Sequence, residues 1–183
     1  YLPEQSTRKE VYEFIIQELT ENIPNLSEEV NNEYYGRFNK WAGYTLLAKM
    51  YLNSEIFSDG THKDYDKCIE ACNKVLECGK YSMETVRKNV FVTNNENSKE
   101  IIFALPFDET YVTDWNAFDF HMYSLQPENQ ATYNFKATPW GGACVIPQYI
   151  ESFDPDDQRL KDDFISGPQY DKNGGVLYCT MGN

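Results

Sequence analysis

The sequence is short of basic residues and has no long apolar run. Its 183 residues include 16 Lys and Arg against 29 Asp and Glu, which gives a net charge of -13. Phosphate contacts need a basic face, so this charge argues against a nucleic-acid partner, and it also disfavours binding of the chain's own surface to anionic lipid. The longest apolar run, IIFALPF, is too short to span a membrane and instead predicts a short buried strand.

Leader segments and enzyme motifs are also absent from the sequence. The chain begins at Tyr1 without a signal peptide or lipidation motif, so we expect any targeting segment to lie outside it. No phosphate loop, dinucleotide fingerprint or Ser-His-Asp set occurs. We therefore expect a protein that is not an enzyme and that needs no cofactor.

An acidic cluster in the second half is the strongest remaining hint of catalysis or metal binding. Its members are Asp154, Asp156, Asp157, Asp162 and Asp163. A glycosidase needs two carboxylates that flank one bond, whereas these acids crowd one turn and one helix start. We favour a turn at Asp154 and pairing of Asp156 or Asp157 with Arg159. A calcium site at these acids or at DKNGG is a remaining alternative, although the sequence lacks the full spaced ligand loop of such a site.

The first 82 residues carry the periodicity of amphipathic helices. Thr7 and Glu10 have the spacing of a capping box, which predicts a helix that starts after Thr7. The apolar face expected for this helix consists of Val11, Phe14, Ile15, Leu19 and Ile23. A second helix is predicted over about 37–53, and a third over about 64–77 with Gly79 at its end.

Residues 83–183 have a different character. From 110 to 144 no helical period extends over a useful length, and aromatic residues are frequent, which favours a functional loop. IPQYIESFDPDDQRLKDDF predicts a short helix and an acidic turn, and GPQYDKNGG predicts an exposed hairpin or loop tip. We expect a mainly α fold with short strands, with a helical portion at 1–82 and a strand- and loop-rich portion at 83–183 within one larger domain.

Cys68 and Cys72 raise the question of whether the third helix binds a metal or only packs. Their i, i+4 spacing places both thiols on one face, but a zinc site needs four ligands and no partner pair stands out. YTLLAKMY fits the first helix of a tetratricopeptide repeat, and Cys68, Cys72 and Val75 then take packing positions in its second helix. Packing without a metal is the better explanation, because free cysteine is often buried. Such repeats bury their faces when about three stack, so we expect further helices from outside the chain.

Four motifs in a fixed order resemble one protein family. GRFNKWAGYTLLAKMYLNSE is followed by YDKCIEACNKVL, then by NSKEIIFAL and later by FDPDDQR. Their order and spacing, from Ser6 to Tyr170, resemble the central part of the SusD-like (SusD/RagB) family. The resemblance implies a tetratricopeptide-like helical superhelix that supports an irregular, loop-rich ligand-binding region.

The resemblance also implies a function. Members of this family are Bacteroidetes outer-membrane lipoproteins at the cell surface, which bind starch or other polysaccharides for nutrient uptake. They pass the glycan to a SusC-type TonB-dependent transporter. The expected partners are therefore an oligo- or polysaccharide and that transporter, and the lipid anchor would lie in a segment absent from this chain.

A candidate glycan site follows from local chemistry, because no family motif matches this loop residue by residue. Sugar rings stack on aromatic faces, and planar polar groups bind their hydroxyls. DWNAFDFHMY and TPWGG supply both kinds of group, and their candidate residues are Trp115, Asn116, Asp119, His121, Tyr123 and Trp140. Trp115 and Trp140 are expected to stack on sugar, with room left by Gly141 and Gly142.

The alternative function is a tetratricopeptide-type protein-interaction scaffold without a sugar site. Taken singly, each aromatic residue of the loop is more often structural than functional. The aromatic loop as a whole separates the two hypotheses, because a peptide-binding repeat has no need of it.

Overall fold

The computed structural model describes residues 4–106, 110 and 120–177. They belong to two compact units, Tyr1–Pro106 and Phe107–Asn183, each described here by itself. The described residues are mainly helical, with two short strands, which confirms the expected fold class. Among them no helix is both long enough and apolar enough to cross a membrane.

Helix α1 spans Arg8–Asn22 and begins with the predicted capping box. The Thr7 hydroxyl accepts a hydrogen bond from the backbone N–H of Glu10 at 3.2 Å, and the Glu10 carboxylate accepts one from the Thr7 N–H at 2.8 Å. The backbone hydrogen bond from Thr7, followed by the one from its hydroxyl, lowers the pKa of the Glu10 carboxyl. Two N–H groups that lack partners inside the helix are thereby satisfied.

The buried face of α1 differs from the predicted one. Tyr12 is only 2% exposed, whereas the expected core residues Val11 and Phe14 are 44% and 62% exposed. Ile16 and Leu19 pack against the core. The prediction holds for Leu19 and Ile23 and is wrong for Val11 and Phe14, because Tyr12 packs its ring near Phe57 at a centroid distance of 6.2 Å instead.

Helix α2 spans Lys40–Leu52 and forms the centre of the first unit. Asn39 caps it by accepting a hydrogen bond from the Ala42 N–H at 2.9 Å. A short 3-10 helix, Ile23–Asn25, packs closely on α2 at Gly43, where an added Cβ would lie 2.8 Å from Ile23 Cγ1. Ile23, Leu47 and Tyr51 form the core cluster.

Helices α3, Ser54–Phe57, and α4, Tyr65–Glu77, complete the helical part of the first unit. Helix α4 packs along α2, and Ala71 and Val75 are buried. Gly79 follows α4 with a φ of 68°, a left-handed conformation that favours glycine at a helix end.

One predicted packing position on α4 is wrong. Cys68 is half-buried and packs against the core cluster, as expected for a packing residue. Cys72 is exposed instead, because Ala71 occupies the buried position of that turn. The outer face of α4 carries two exposed apolar residues among charged ones, with Ile69 58% exposed and Leu76 76% exposed.

The predicted strand over IIFALPF is absent from its described part, residues 101–106. This segment instead lies against the loop before α2. The Phe103 ring meets the Phe38 ring edge-on at a centroid distance of 5.6 Å. Pro106 packs on Gly36, where an added Cβ would lie 3.0 Å from the proline ring. Short 3-10 helices at Arg87–Phe91 and Asn95–Asn97 precede it.

The second unit contains short elements joined by loops. Its helices are α5, Phe120–Ser124, α6, Asn129–Tyr133, α7, Pro147–Glu151, and α8, Arg159–Asp162. The long loop predicted between 110 and 144 is therefore interrupted by α5 and α6. Each has five residues, too few to show a helical period in the sequence. Helix α7 confirms the short helix predicted there, and the turn closed by the Asp157 N–H and the Asp154 carbonyl confirms the acidic turn.

A two-stranded antiparallel hairpin closes the described chain and confirms the hairpin predicted at GPQYDKNGG. Strands β1, Gln169–Tyr170, and β2, Val176–Leu177, pair with Gln169 opposite Leu177. The carboxylate of Asp171 accepts hydrogen bonds from the N–H groups of Asn173 at 2.7 Å and Gly175 at 2.8 Å. The side chain of Asp171 thus serves as the acceptor that holds the turn.

Candidate functional site

Tyr123 and Trp140 form an exposed aromatic pair in the second unit. Their ring centroids lie 4.9 Å apart with an interplanar angle of 77°, an edge-to-face arrangement. The Tyr123 side chain is 53% exposed and that of Trp140 is 45% exposed. Two predicted site residues that lie 17 positions apart in the sequence are therefore brought together with accessible ring surface.

Backbone hydrogen bonds hold this pair in place. The Trp140 N–H donates to the Met122 carbonyl at 2.7 Å, and the Ala143 N–H donates to the Tyr123 carbonyl at 2.9 Å. Met122 is buried and Pro139, just before the tryptophan, is fully buried. The segment after Pro139 is therefore fixed along α5, while both rings keep about half of their surface exposed.

The two glycines after Trp140 have distinct roles. Gly141 and Gly142 have φ values of 72° and 128°, which L side chains rarely adopt. A Cβ at Gly141 would lie 3.0 Å from Gln126 Oε1, whereas a Cβ at Gly142 would meet no atom within 4 Å. Gly141 therefore permits a close approach of Gln126, and Gly142 leaves open space beside the tryptophan.

Gln126 is a site residue that sequence reasoning missed. Its Oε1 atom is buried and has no hydrogen-bond partner among the described residues. Its backbone N–H donates to Asn129 Oδ1 at 3.0 Å, and Asn129 is itself buried. An unpaired buried acceptor is costly, and this oxygen is covered by the close approach of Gly141. Nothing in the local pattern SLQPENQ distinguishes this glutamine from a surface residue.

The remaining predicted site residues cannot be placed beside this pair. Trp115, Asn116 and Asp119 lie outside the described residues. His121 lies in α5, and its side chain is not among those that the structure describes.

The described hydrogen bonds of the acidic cluster stabilise local structure. Arg159 binds Asp157 in a two-point contact, with Nε 2.9 Å from Oδ1 and 3.0 Å from Oδ2. This hydrogen bonding, together with the charge of Asp157, raises the pKa of Arg159. Asp154 accepts from the Asp156 N–H at 2.9 Å, which is an Asx turn. The turn and the pairing with Arg159 agree with the interpretation made from the sequence.

Within the described ranges, no group of three or more His, Cys, Asp or Glu side chains is placed to hold a metal ion. Burial, followed by the neighbouring thiol of Cys72, raises the pKa of Cys68, so this thiol resists the ionisation that a metal ligand needs.

The fold and the site define a mainly α-helical protein with a fixed, exposed aromatic pair. A SusD-like family model, described as starch-binding and associating with the outer membrane, matches residues 3–52. A SusD-like protein of Bacteroides ovatus is 28% identical over 109 residues, which cover 56% of this chain and 19% of that protein. The starch-binding protein SusD of Bacteroides thetaiotaomicron is 30% identical over 111 residues, which cover 58% of this chain and 19% of that protein.

The matched region spans about a fifth of each relative's length, 19% in both cases. No solved structure matches the chain significantly. The chain carries a SusD-like region, and the resemblance predicted from its motifs is confirmed.

Proposed function

We propose that the protein binds glycans at the cell surface for nutrient uptake and does so without enzymatic activity. The observation that carries this proposal is the exposed Tyr123–Trp140 pair. The names of the matched relatives support starch or a related glycan as the class of ligand.

The chemistry of the pair suits a sugar. The flat face of an indole matches the C–H face of a pyranose, and Trp140 keeps 45% of its surface accessible. Gly142 leaves the neighbouring space open, while the Gly141 backbone lies close against the Gln126 side chain. We add Trp115 as a second stacking residue and Asn116, Asp119, His121 and Tyr123 as hydrogen-bonding residues, on the local chemistry of the sequence.

The setting of this activity is also a proposal. The protein would act at the outer membrane, held by a lipid anchor, and would pass its glycan to a SusC-type TonB-dependent transporter. The description of the matching family model, which names the outer membrane, supports this location. The helices α1 to α4 would form part of a tetratricopeptide-like superhelix, with a helical portion at 1–82 and the ligand-binding portion at 83–183.

A protein-interaction scaffold is the second candidate function. The observation in its favour is the outer face of α4, where Ile69 and Leu76 are largely exposed. Such a face suits the apolar side of a helical peptide.

A glycan panel tested by calorimetry separates the two functions. We expect heat of binding with at least one neutral starch- or hemicellulose-type oligosaccharide, and loss of that heat when the glycan is hydrolysed to monosaccharides. The absence of binding across the panel, with binding of amphipathic helical peptides that Leu76→Asp abolishes, would replace the glycan proposal by the scaffold.

A further inference from the structure

A cavity of about 250 Å³ lies in the first unit, on the side formed by the loop before α2. Its walls come from residues 30–32, 34–37, 96–99 and 101–104, with Asn39, Lys80 and Tyr81 between them. Drug-sized ligand pockets usually exceed about 300 Å³, so this cavity has room for one small ring rather than a long chain.

The cavity is built on fixed side chains. Asn39 is 3% exposed, caps α2 and donates hydrogen bonds to the Glu29 carbonyl and to the Tyr81 hydroxyl, both at 3.3 Å. The edge-to-face contact of Phe38 with Phe103 ties the two walls together. A pocket formed in this way before a ligand arrives needs little ordering on binding.

The charged residues that line the cavity are mostly basic, whereas the whole chain is acidic. Arg37, Lys80 and Lys99 line the cavity with a single acid, Glu96. None of the three bases forms an ion pair with the described part of the chain, although the sequence has a net charge of -13. The charge of Lys80 acts on the Glu28 carboxylate, but Glu28 forms its ion pair with Lys40.

Two of the lining groups are oriented by their neighbours. The Arg37 guanidinium lies over the Tyr34 ring, 5.7 Å from its centroid, which limits its motion. The Tyr81 hydroxyl accepts from Asn39, so its own proton remains available, and no described residue accepts it. The cavity therefore presents hydrogen-bond donors and positive charge, which match an anionic acceptor.

We propose that this cavity binds one anionic sugar unit, a six-membered ring that bears a carboxylate or a sulfate. The proposal rests on the proposed glycan-binding function and names a ligand class for a second site. The anionic group would bind Arg37 and Lys99, and the ring hydroxyls would meet Tyr81 and the amide side chains of the loop. A neutral sugar would leave the basic groups without a counter-charge, so it would bind more weakly.

Titration by NMR or calorimetry at low salt tests this inference with three probes: D-glucuronate, glucose 6-sulfate and D-glucose. We expect at least one anionic probe to bind about tenfold more tightly than glucose, since hydrogen bonds to a charged group are stronger than those between neutral groups. The tighter of the two anionic probes identifies the group that is bound. Equal affinity for glucose and both anionic probes would overturn the proposal.

Matched variants locate the binding. Arg37→Gln and Lys99→Gln should each weaken the anionic probe about tenfold, while Lys49→Gln, an exposed lysine on α2 outside the cavity lining, should leave it unchanged. Equal effects of all three variants would mean non-specific attraction and would overturn the proposal. Lys99→Gln alone decides the matter if Arg37→Gln fails to fold.

The two proposals fail separately. Binding of a neutral glycan that Trp140→Ala weakens, without binding of anionic probes, would refute only the second site. Binding of an anionic probe that Lys99→Gln weakens, without response of any neutral glycan, would refute only the proposed role of the aromatic pair.

Discussion

The hydroxyl of Tyr12 donates a hydrogen bond to Asp64 Oδ2 at 3.2 Å and joins α1 to the residue that precedes α4. The two residues are 52 positions apart, and both are shielded from solvent, with Tyr12 2% exposed and the Asp64 side chain 14% exposed. Burial, followed by the charge of Asp64, raises the pKa of Tyr12, so the phenol stays protonated and remains a donor.

This contact predicts a pH-dependent contribution to stability. Burial acts to raise the pKa of Asp64, but the hydrogen bond and charge of Lys67 outweigh it, with further help from Tyr12 and His62, and the pKa is lowered. A carboxyl whose folded pKa lies below its unfolded value of about 3.9 stabilises the protein above that value. The contribution is lost as the pH falls through the folded pKa.

We expect Asp64→Asn to lower the free energy of unfolding by about 1 kcal/mol at pH 7, with the difference from wild type closing below about pH 4. Denaturant unfolding at a series of pH values measures this. Asp66→Asn is the control, since the neighbouring Asp66 makes none of these described contacts. A difference that persists unchanged at pH 2 would contradict the assignment.

The position of the core gives a second prediction. Leu47 is 7% exposed and belongs to the cluster with Ile23 and Tyr51, whereas Leu76 is 76% exposed on the outer face of α4. Leu47→Ala should cost about 2–5 kcal/mol of stability because it leaves a cavity. Leu76→Ala should change stability by less than about 0.5 kcal/mol. Equal costs in denaturant unfolding would show that α4 buries its outer face.

Thiol reactivity gives a third prediction. Cys68 is half-buried against the core and its pKa is raised, while Cys72 and Cys144 are exposed. We expect a thiol reagent to label Cys72 about tenfold or more faster than Cys68 in the native protein, because only thiolate reacts and access is needed. Peptide mapping by mass spectrometry reads both sites, with Cys144 as the internal reference for an exposed thiol.

Denaturant should remove the difference between these thiols. Similar native rates at Cys68 and Cys72 would contradict the orientation of α4. Slow labelling of both thiols, with fast labelling of Cys144, would favour the sequence-based prediction that Cys68 and Cys72 are both buried.

Local patterns carried most of what was predicted correctly. The capping box at Thr7, the glycine after α4 and the hairpin held by Asp171 are set by residues a few positions apart, so the sequence contains their full cause. The buried face of α1 depends on the contact between Tyr12 and Asp64. These residues are 52 positions apart, so the helical period of α1 cannot predict the contact.

The candidate site divides in the same way. Local chemistry pointed to both residues of the pair, because Tyr123 belongs to the aromatic and polar run DWNAFDFHMY and Trp140 stands beside two glycines. Gln126 could not be predicted, because its buried, unpaired oxygen depends on the close approach of Gly141, 15 positions away in the sequence. The apolar run at 101–106 suggested a strand, but β pairing requires a partner strand and the described residues provide none there.

The aromatic pair gives the last prediction, and it tests the proposed function directly. Trp140→Ala should weaken the tightest glycan of the panel by about 1–3 kcal/mol, by analogy with aromatic stacking on planar ligands. The melting temperature should change little, because the ring is 45% exposed and its backbone bonds to α5 do not depend on the side chain. Calorimetric titration and thermal unfolding of the same sample measure both quantities.

Tyr170→Ala is the matched control for this variant. Tyr170 is 48% exposed, close to the value for Trp140, but it lies on the hairpin strand β1. We expect its substitution to leave glycan affinity unchanged, so that a loss specific to Trp140 assigns stacking to the aromatic pair rather than to exposed rings in general. A large drop in melting temperature with unchanged affinity in Trp140→Ala would show that the tryptophan is structural and that sugar binds elsewhere.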